Sequence, residues 1–200
     1  MSVEPVIFVV DDDEAVGRAL TSAGKLLGRP IRTFTSAAAF LGAYAGEPGC
    51  LVLDIRMPGM TGLELQRKLA DDGRAIPIVM ISGHADVRIA VEAMTLGAVT
   101  LLEKPFRLDE ILSHVRKALE KDATARAARQ SASDASARLA ALTAKEREVL
   151  DLIAAGKTNR EMADDLGLSV RAVEDRRARL MKKVNAGSVA ELVKLLAERL

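Results

Sequence analysis

The stretch Leu51–Leu65 reads LVLDIRMPGMTGLEL. It opens with the apolar run Leu51-Val52-Leu53, short enough for a buried strand. Asp54 follows with no polar spacer. Arg56-Met57-Pro58-Gly59 then supplies a turn, and an amphipathic stretch runs from Gly62 to Asp71. Strand, turn and helix follow one another within a few residues, and a carboxylate stands where the strand ends. Loop solvation or helix capping does not explain an acid in that place.

The same alternation extends in both directions. Strand-like runs occur at Val6–Val10, Ile31–Phe34, Leu51–Leu53, Ile78–Ile81 and Val99–Leu102. Amphipathic stretches fall between them at Glu14–Leu27, Ala37–Ala43, Gly62–Asp71, Val87–Leu96 and Leu108–Glu120. Five strands alternating with five helices predict an α/β fold, a doubly wound five-stranded parallel sheet covered on both faces. In such a sheet, functional groups collect at the carboxyl ends of the strands. The first strand ends in Asp11-Asp12-Asp13, the third in Asp54, the fourth in Ser82 and the fifth at Lys104-Pro105. Asp13 alone reads as a helix cap. The others form a pocket of acids, a hydroxyl and an ammonium. Packed carboxylates need a counter-charge, and Mg²⁺ takes one or two of them while keeping several waters. The chemistry implied is attack of a carboxylate on phosphorus to give an acyl phosphate.

The remainder of the chain differs. Residues 122–138 are rich in Ala, Ser and Arg and lack any large apolar side chain, so they are expected to form a linker, partly helical, on which little packing depends. The expected domains are therefore 1–121, a linker at 122–138, and 139–200. The last segment shows no strand pattern and predicts a small all-α domain of four helices. Thr143-Ala-Lys-Glu146 and Ser188-Val-Ala-Glu191 are capping boxes. Asn159 and Ser169 stand as caps of two middle helices joined by Gly167-Leu168-Ser169, a helix-turn-helix signature. The second of these helices is expected from about Val170 to Val184, and Arg171–Lys183 holds six basic and two acidic residues. Residues 1–121 carry 14 basic and 16 acidic residues, against 15 and 12 in residues 122–200, so the basic surplus lies with that helix.

Composition narrows the class. Apolar residues make up 49% and aromatics 2%, so cores must come from aliphatic side chains. No apolar run approaches the roughly 18 residues of a membrane span. Acids rather than Lys or Arg flank the first apolar run, which does not resemble a signal peptide. The single Cys50 reads as a small buried residue. A cytoplasmic protein with no membrane partner is expected.

VVDDDE, LVLDIRMPGMTGLEL, IVMISGHAD, AVEAMTLGA and EKPF together resemble the receiver domain of two-component response regulators over roughly Val6–Lys121. The resemblance implies a flavodoxin-like fold, with Asp54 as phosphoacceptor. It implies Mg²⁺ held by Asp11, Asp12, Asp54 and the backbone carbonyl of Arg56. Ser82 and Lys104 become switch residues, and the Lys104-Pro105 bond is expected to be cis. Leu101 stands where an aromatic switch residue is common. The C-terminal stretch LTAKEREVLDLIAAGKTNREMADDLGLSVRAVEDRRARLMKKV resembles the output domain of the FixJ/NarL (LuxR-type) regulators, and SGHADV and EKPF are similar to the FixJ branch. Carried over by position, Glu174, Asp175 and Ala178 face bases, with Arg177 close by. Arg171, Arg176 and Lys182 grip phosphate, Lys157, Thr158 and Asn159 at the start of the preceding helix are expected to touch the DNA backbone as well, and Ser169 lies at the same interface. Ala172 and Asp175-Arg176 depart from the commoner third-helix pattern, which implies a different site preference. The partners implied are a sensor histidine kinase, double-stranded DNA, RNA polymerase and, on phosphorylation, a second copy of the chain.

Two other classes are weighed. An Asp-nucleophile phosphatase needs its nucleophile in an Asp-x-Asp pair on the first strand, whereas the isolated acid here follows the third, so no enzyme and no catalytic set is expected. An unswitched binding module would not need Asp11, Asp12, Asp54 and Lys104 together. His114 reads as a surface residue, and His84 lies in the loop after Ser82, where a role in tuning the pocket is the lesser reading.

Overall fold

The structure is a computed structural model that describes residues 4–83 and 86–197, the side chains of residues 23–25 and 197 excepted. His84 lies outside the described residues, as do residues 198–200 of the expected C-terminal domain. The chain divides into two compact units, Met1–Arg126 and Ala127–Leu200.

In the first unit the elements are β1 (Val6–Val10), α1 (Glu14–Gly24), β2 (Ile31–Phe34), α2 (Ala37–Ala43), β3 (Gly49–Asp54), α3 (Gly62–Asp71), β4 (Ile78–Ser82), α4 (Val87–Thr95) and β5 (Thr100–Glu103), followed by the start of α5 (Leu108–Ala140). The strands are all parallel, in the order β2-β1-β3-β4-β5. The period of two along each strand sorts side chains to two cores. Phe8, Leu51, Leu53 and Met80 pack with Phe40, Leu65, Leu69 and Ala93 from α2, α3 and α4. Ile7, Val9, Val52 and Ile81 pack on the other face with Leu20 of α1 and Ile111 and Val115 of α5. Cys50 belongs to this second core, and burial, with Asp122 adding to it, pushes its thiol up to about 12, so it is inert as a nucleophile.

Register positions the pocket. Val10 pairs with Leu53 and Asp54 with Ile81, so Asp11 and Asp54 are level and Ser82 stands one residue beyond. The chain leaves β3 through a close approach at Gly62, where a Cβ would fall 2.3 Å from the Asp54 carbonyl oxygen. Only glycine fits there, and its N–H bonds Ile55 O at 3.0 Å.

The segment 122–138 departs from expectation. It lies wholly within helix α5, a 33-residue element, and its first turn is packed. Asp122 is 2% exposed and accepts the Gly49 N–H at 2.8 Å. The reading that little packing depends on this segment is corrected at Asp122 and Arg126. The expectation weighed apolar bulk, whereas the contact there is polar.

The second unit contains α6 (Ala144–Ala154), α7 (Asn159–Leu166), α8 (Val170–Val184) and α9 (Val189–Ala197). Their apolar stripes meet in one core that includes Val149, Ile153, Met162, Val173, Leu180 and Leu192, with Leu139 from the end of α5. Thr143 forms a capping box with Glu146, and Ser169 caps α8 by accepting the Ala172 N–H. The left-handed Gly167 ends α7 and gives the tight turn into α8. Asn159 is not the cap of α7. Thr158 is, through a capping box with Glu161, and Asn159 is the first residue inside the helix. Both residue types suit an N-cap; the Glu three residues after Thr158 decides between them.

Candidate phosphorylation pocket and nucleic-acid interface

The carboxyl edge of the sheet brings together Asp11, Asp54, Ser82 and Lys104. The Lys104 N–H bonds Ser82 O at 2.7 Å, tying the chain after β5 to the end of β4. The Lys104-Pro105 bond is cis, as expected. The Lys104 ammonium lies 2.6 Å from Asp11 Oδ2 and 2.6 Å from Asp54 Oδ1. Asp54 Oδ2 accepts the Arg56 N–H at 2.6 Å. Asp11, Asp54 and Ser82 are buried. Burial raises the Asp54 carboxyl above its ordinary value, with Asp11 adding to the rise and Lys104 opposing it. Burial weakens the Lys104 ammonium, but its hydrogen bonds to Asp11 and Asp54 outweigh this and raise it.

Asp12 and Arg56 are exposed at the rim. Asp13 caps α1, with Oδ1 accepting the Ala15 N–H at 2.8 Å. Among the described residues, no three acid, His or Cys side chains gather closely enough to cage a metal. The donor set still fits a hard divalent cation that keeps its own waters. Two buried carboxylates face a single ammonium, and the pocket retains negative charge at a site of oxygen donors. Leu101 lies in β5 opposite Met80 and packs, half-buried, against the core.

In the second unit, α8 presents Arg171, Glu174, Asp175, Ala178 and Lys182 to solvent, while Arg176 and Arg177 are half-buried. The Asp175 carboxylate makes no ion pair with Arg171 or Arg179; Arg179 Nε instead bonds the Asp175 backbone oxygen at 3.2 Å. Arg176 and Arg179 border a cavity of about 300 Å³ beside Thr143 and Lys145. Lys183 donates to Glu146 at 2.7 Å. That hydrogen bond and those to Thr143 lower the Glu146 carboxyl to about 2. Arg177 Nη1 donates to Asn159 Oδ1 at 2.8 Å, and Asn159 Nδ2 donates to Glu174 Oε1 at 3.5 Å.

Residues 7–116 match the response regulator receiver domain, and residues 140–196 match the luxR family of bacterial regulatory proteins. The chain belongs to the FixJ-type response regulators. It is 40% identical over 198 residues to the response regulator protein TmoT of Ectopseudomonas mendocina, covering 98% of this chain and 90% of that one. It is 42% identical to the transcriptional regulatory protein FixJ of Azorhizobium caulinodans, covering 94% and 90%. Among solved structures, the response regulator StyR superposes with a TM-score of 0.85 at 38% identity, covering 98% of this chain and 99% of that one. Full-length FixJ from B. japonicum gives 0.60 at 38% identity, covering 98% and 97%.

A FixJ-type regulator is a phosphorylation-dependent transcription factor, and both of its domains are present here. Asp11, Asp54, Ser82 and Lys104 come together as the strand ends implied, whereas Asp12 stands at the rim. Two polar links of this response regulator escaped sequence reasoning. The Asp122–Arg126 pair showed only as an i,i+4 charge pair, and the Asn159–Arg177 bond showed no local signal.

Proposed function

We propose that Asp54 is the phosphoacceptor of this regulator. The observation that carries the reading is the Lys104 ammonium bridging Asp11 and Asp54 at the carboxyl end of a parallel sheet. An Asp54 carboxylate oxygen attacks the phosphorus of a phosphohistidine on a sensor kinase. A P–O bond forms, the P–N bond breaks, and the imidazole leaves. Lys104 and the Ser82 hydroxyl are placed to hold two of the transferred phosphoryl oxygens. Mg²⁺, held by Asp11, Asp12, Asp54 and the Arg56 carbonyl, would neutralise phosphoryl charge when bound. The protein acts as a cytoplasmic switch rather than an enzyme with its own substrate. No helix among the described residues is long and apolar enough to cross a membrane.

The phosphoryl ligands begin and end specific elements. Ser82 ends β4 and leads to α4, and Lys104 follows β5, with Leu101 in between able to repack. Val87, Val91 and Met94 of α4 are 76%, 61% and 48% exposed at spacings of one turn, an apolar stripe fit to pair with a second copy. Phosphorylation thereby promotes dimers through α4, β5 and α5. The dimer presents two α8 helices to double-stranded DNA, with RNA polymerase recruited at the promoter. In each, Arg171, Arg176 and Lys182 supply affinity and Glu174, Asp175, Arg177 and Ala178 meet base edges, with Ser169 at the groove end. The receiver includes the packed turn to Arg126, and the output domain begins near residue 139.

Incubating the full chain with a small phosphodonor and Mg²⁺ tests the assignment. One phosphoryl group should be added by mass and the sedimentation coefficient should rise. Asp54→Asn should show neither change. Labelling retained in that variant would overturn Asp54 as the acceptor.

A further inference from the structure

Asn159 opens α7, yet it has no capping task. The Thr158 hydroxyl accepts the Glu161 N–H at 3.3 Å and the Glu161 carboxylate accepts the Thr158 N–H at 2.8 Å, which completes that helix end. The Asn159 amide reaches α8 instead. Its oxygen accepts from Arg177 and its nitrogen donates to Glu174. Glu174 and Arg177 are three residues apart, so they share a face of α8. A carboxamide carries one acceptor end and one donor end, and here each meets the charge that suits it. Turning the amide over would set its NH₂ against the guanidinium and its oxygen against the carboxylate.

The geometry assigns Asn159 as a positioning residue that aims Arg177 and Glu174 together at the bases read by α8. This rests on the reading that α8 enters the major groove. Arginine is a flexible side chain, and holding one guanidinium nitrogen reduces the freedom lost when the others bind. A guanidinium pairs with guanine O6 and N7, and a carboxylate accepts from the cytosine amino group. The two side chains together favour neighbouring guanine and cytosine contacts, and one neutral amide sets both. The amide oxygen and one of the two amide N–H groups of Asn159 are engaged with α8, so the role assigned to it is positioning rather than phosphate contact.

Binding-site selection with the phosphorylated full chain tests the assignment, with salt titrations on selected and random DNA. Asn159→Ala should weaken preference about tenfold at two positions per half-site, the low end of what one good base contact supplies. Affinity for random DNA and the salt slope should not change. Asn159→Asp keeps the acceptor for Arg177 but repels Glu174, so it should restore the guanine position alone. Equal weakening on selected and random DNA in Asn159→Ala, with the slope reduced by about one unit, would make Asn159 a phosphate contact and overturn the proposal. So would an unchanged motif in both Asn159 variants when Arg177→Ala alters it. An unchanged motif in Arg177→Ala would overturn this proposal together with base reading by that arginine.

Discussion

At each end of strand β3 a buried carboxylate meets a partly exposed cation, and the two clusters are built differently. At the Gly49 end, Asp122 faces Arg126. Arg126 Nε bonds Asp122 Oδ1 at 2.9 Å and Oδ2 at 2.8 Å, and Nη2 bonds Gly46 O at 3.0 Å and Glu47 O at 2.8 Å. The charges balance, and the acid is saturated by the guanidinium and the Gly49 N–H. At the Asp54 end, two acids share one lysine, and burial leaves Asp54 easier to protonate than an ordinary carboxyl. A satisfied pair holds the fold, whereas a pocket left with excess negative charge gains by taking up a cation or by esterifying one acid. Arg suits the first task because its planar fork serves four oxygens, and Lys suits the second because its compact ammonium can move to a new oxygen.

The largest effect should come from breaking the balanced end. Asp122→Ala leaves a half-buried guanidinium and the Gly49 N–H without their acceptor, and leaving a buried donor unsatisfied costs about 1–3 kcal/mol. The chain has one tyrosine and no tryptophan. Tyr44, packed edge-on against Phe8 with its hydroxyl donating to Glu47 O, therefore reports receiver unfolding by its own fluorescence. A urea midpoint unchanged in Asp122→Ala would make the Arg126 contacts dispensable.

Neutralising the other end should have a much smaller effect of opposite sense. Asp54→Asn removes one of two neighbouring negative charges, so receiver stability should hold within about 1 kcal/mol or rise. The pH dependence follows from the raised carboxyl. Its contribution is fully present below the ordinary carboxylate value and is lost as pH rises through the folded-state value. Wild type should therefore lose part of its stability on going upward from about pH 4, and the asparagine variant should not. Equal pH profiles would mean that Lys104 compensates the pocket completely.

The smallest effect lies outside the receiver. Glu146 is held down to about 2 by Lys183 and Thr143, so its contribution is present above 4.5 and is lost as pH falls toward 2. Glu146→Gln should blunt the loss of output-domain helicity over that acid range, measured by circular dichroism. The Glu146 side chain is partly exposed, and the change should be modest.

Much of the site was legible because a parallel sheet turns sequence order into spatial order. Residues at the carboxyl ends of β1, β3, β4 and β5 must gather at one edge, so Asp11, Asp54, Ser82 and Lys104 could be placed together without coordinates. Asp12 was harder. It follows the same strand as Asp11, but successive side chains diverge, and the structure buries one and exposes the other. The recognition helix was equally plain. Ser169 before it and an apolar stripe through Val173, Leu180 and Val184 mark its ends and its inward face.

The sequence by itself determined the two architectures, the chemistry of the carboxyl edge, and the element boundaries to within a few residues except at α5, expected to end at Glu120 and found to run to Ala140. These rest on periodicity, caps and strand order, which act over a few residues and leave a repeating pattern. Tertiary structure alone decided that Asp122 is an anchor, because its backbone partner Gly49 is 73 residues away. It likewise decided that Asn159 serves Arg177, 18 residues further on, rather than its own helix end. A polar side chain has the same composition and local spacing whether it meets water or a distant partner. Which one it meets is set only when packing of the apolar faces brings the two surfaces together.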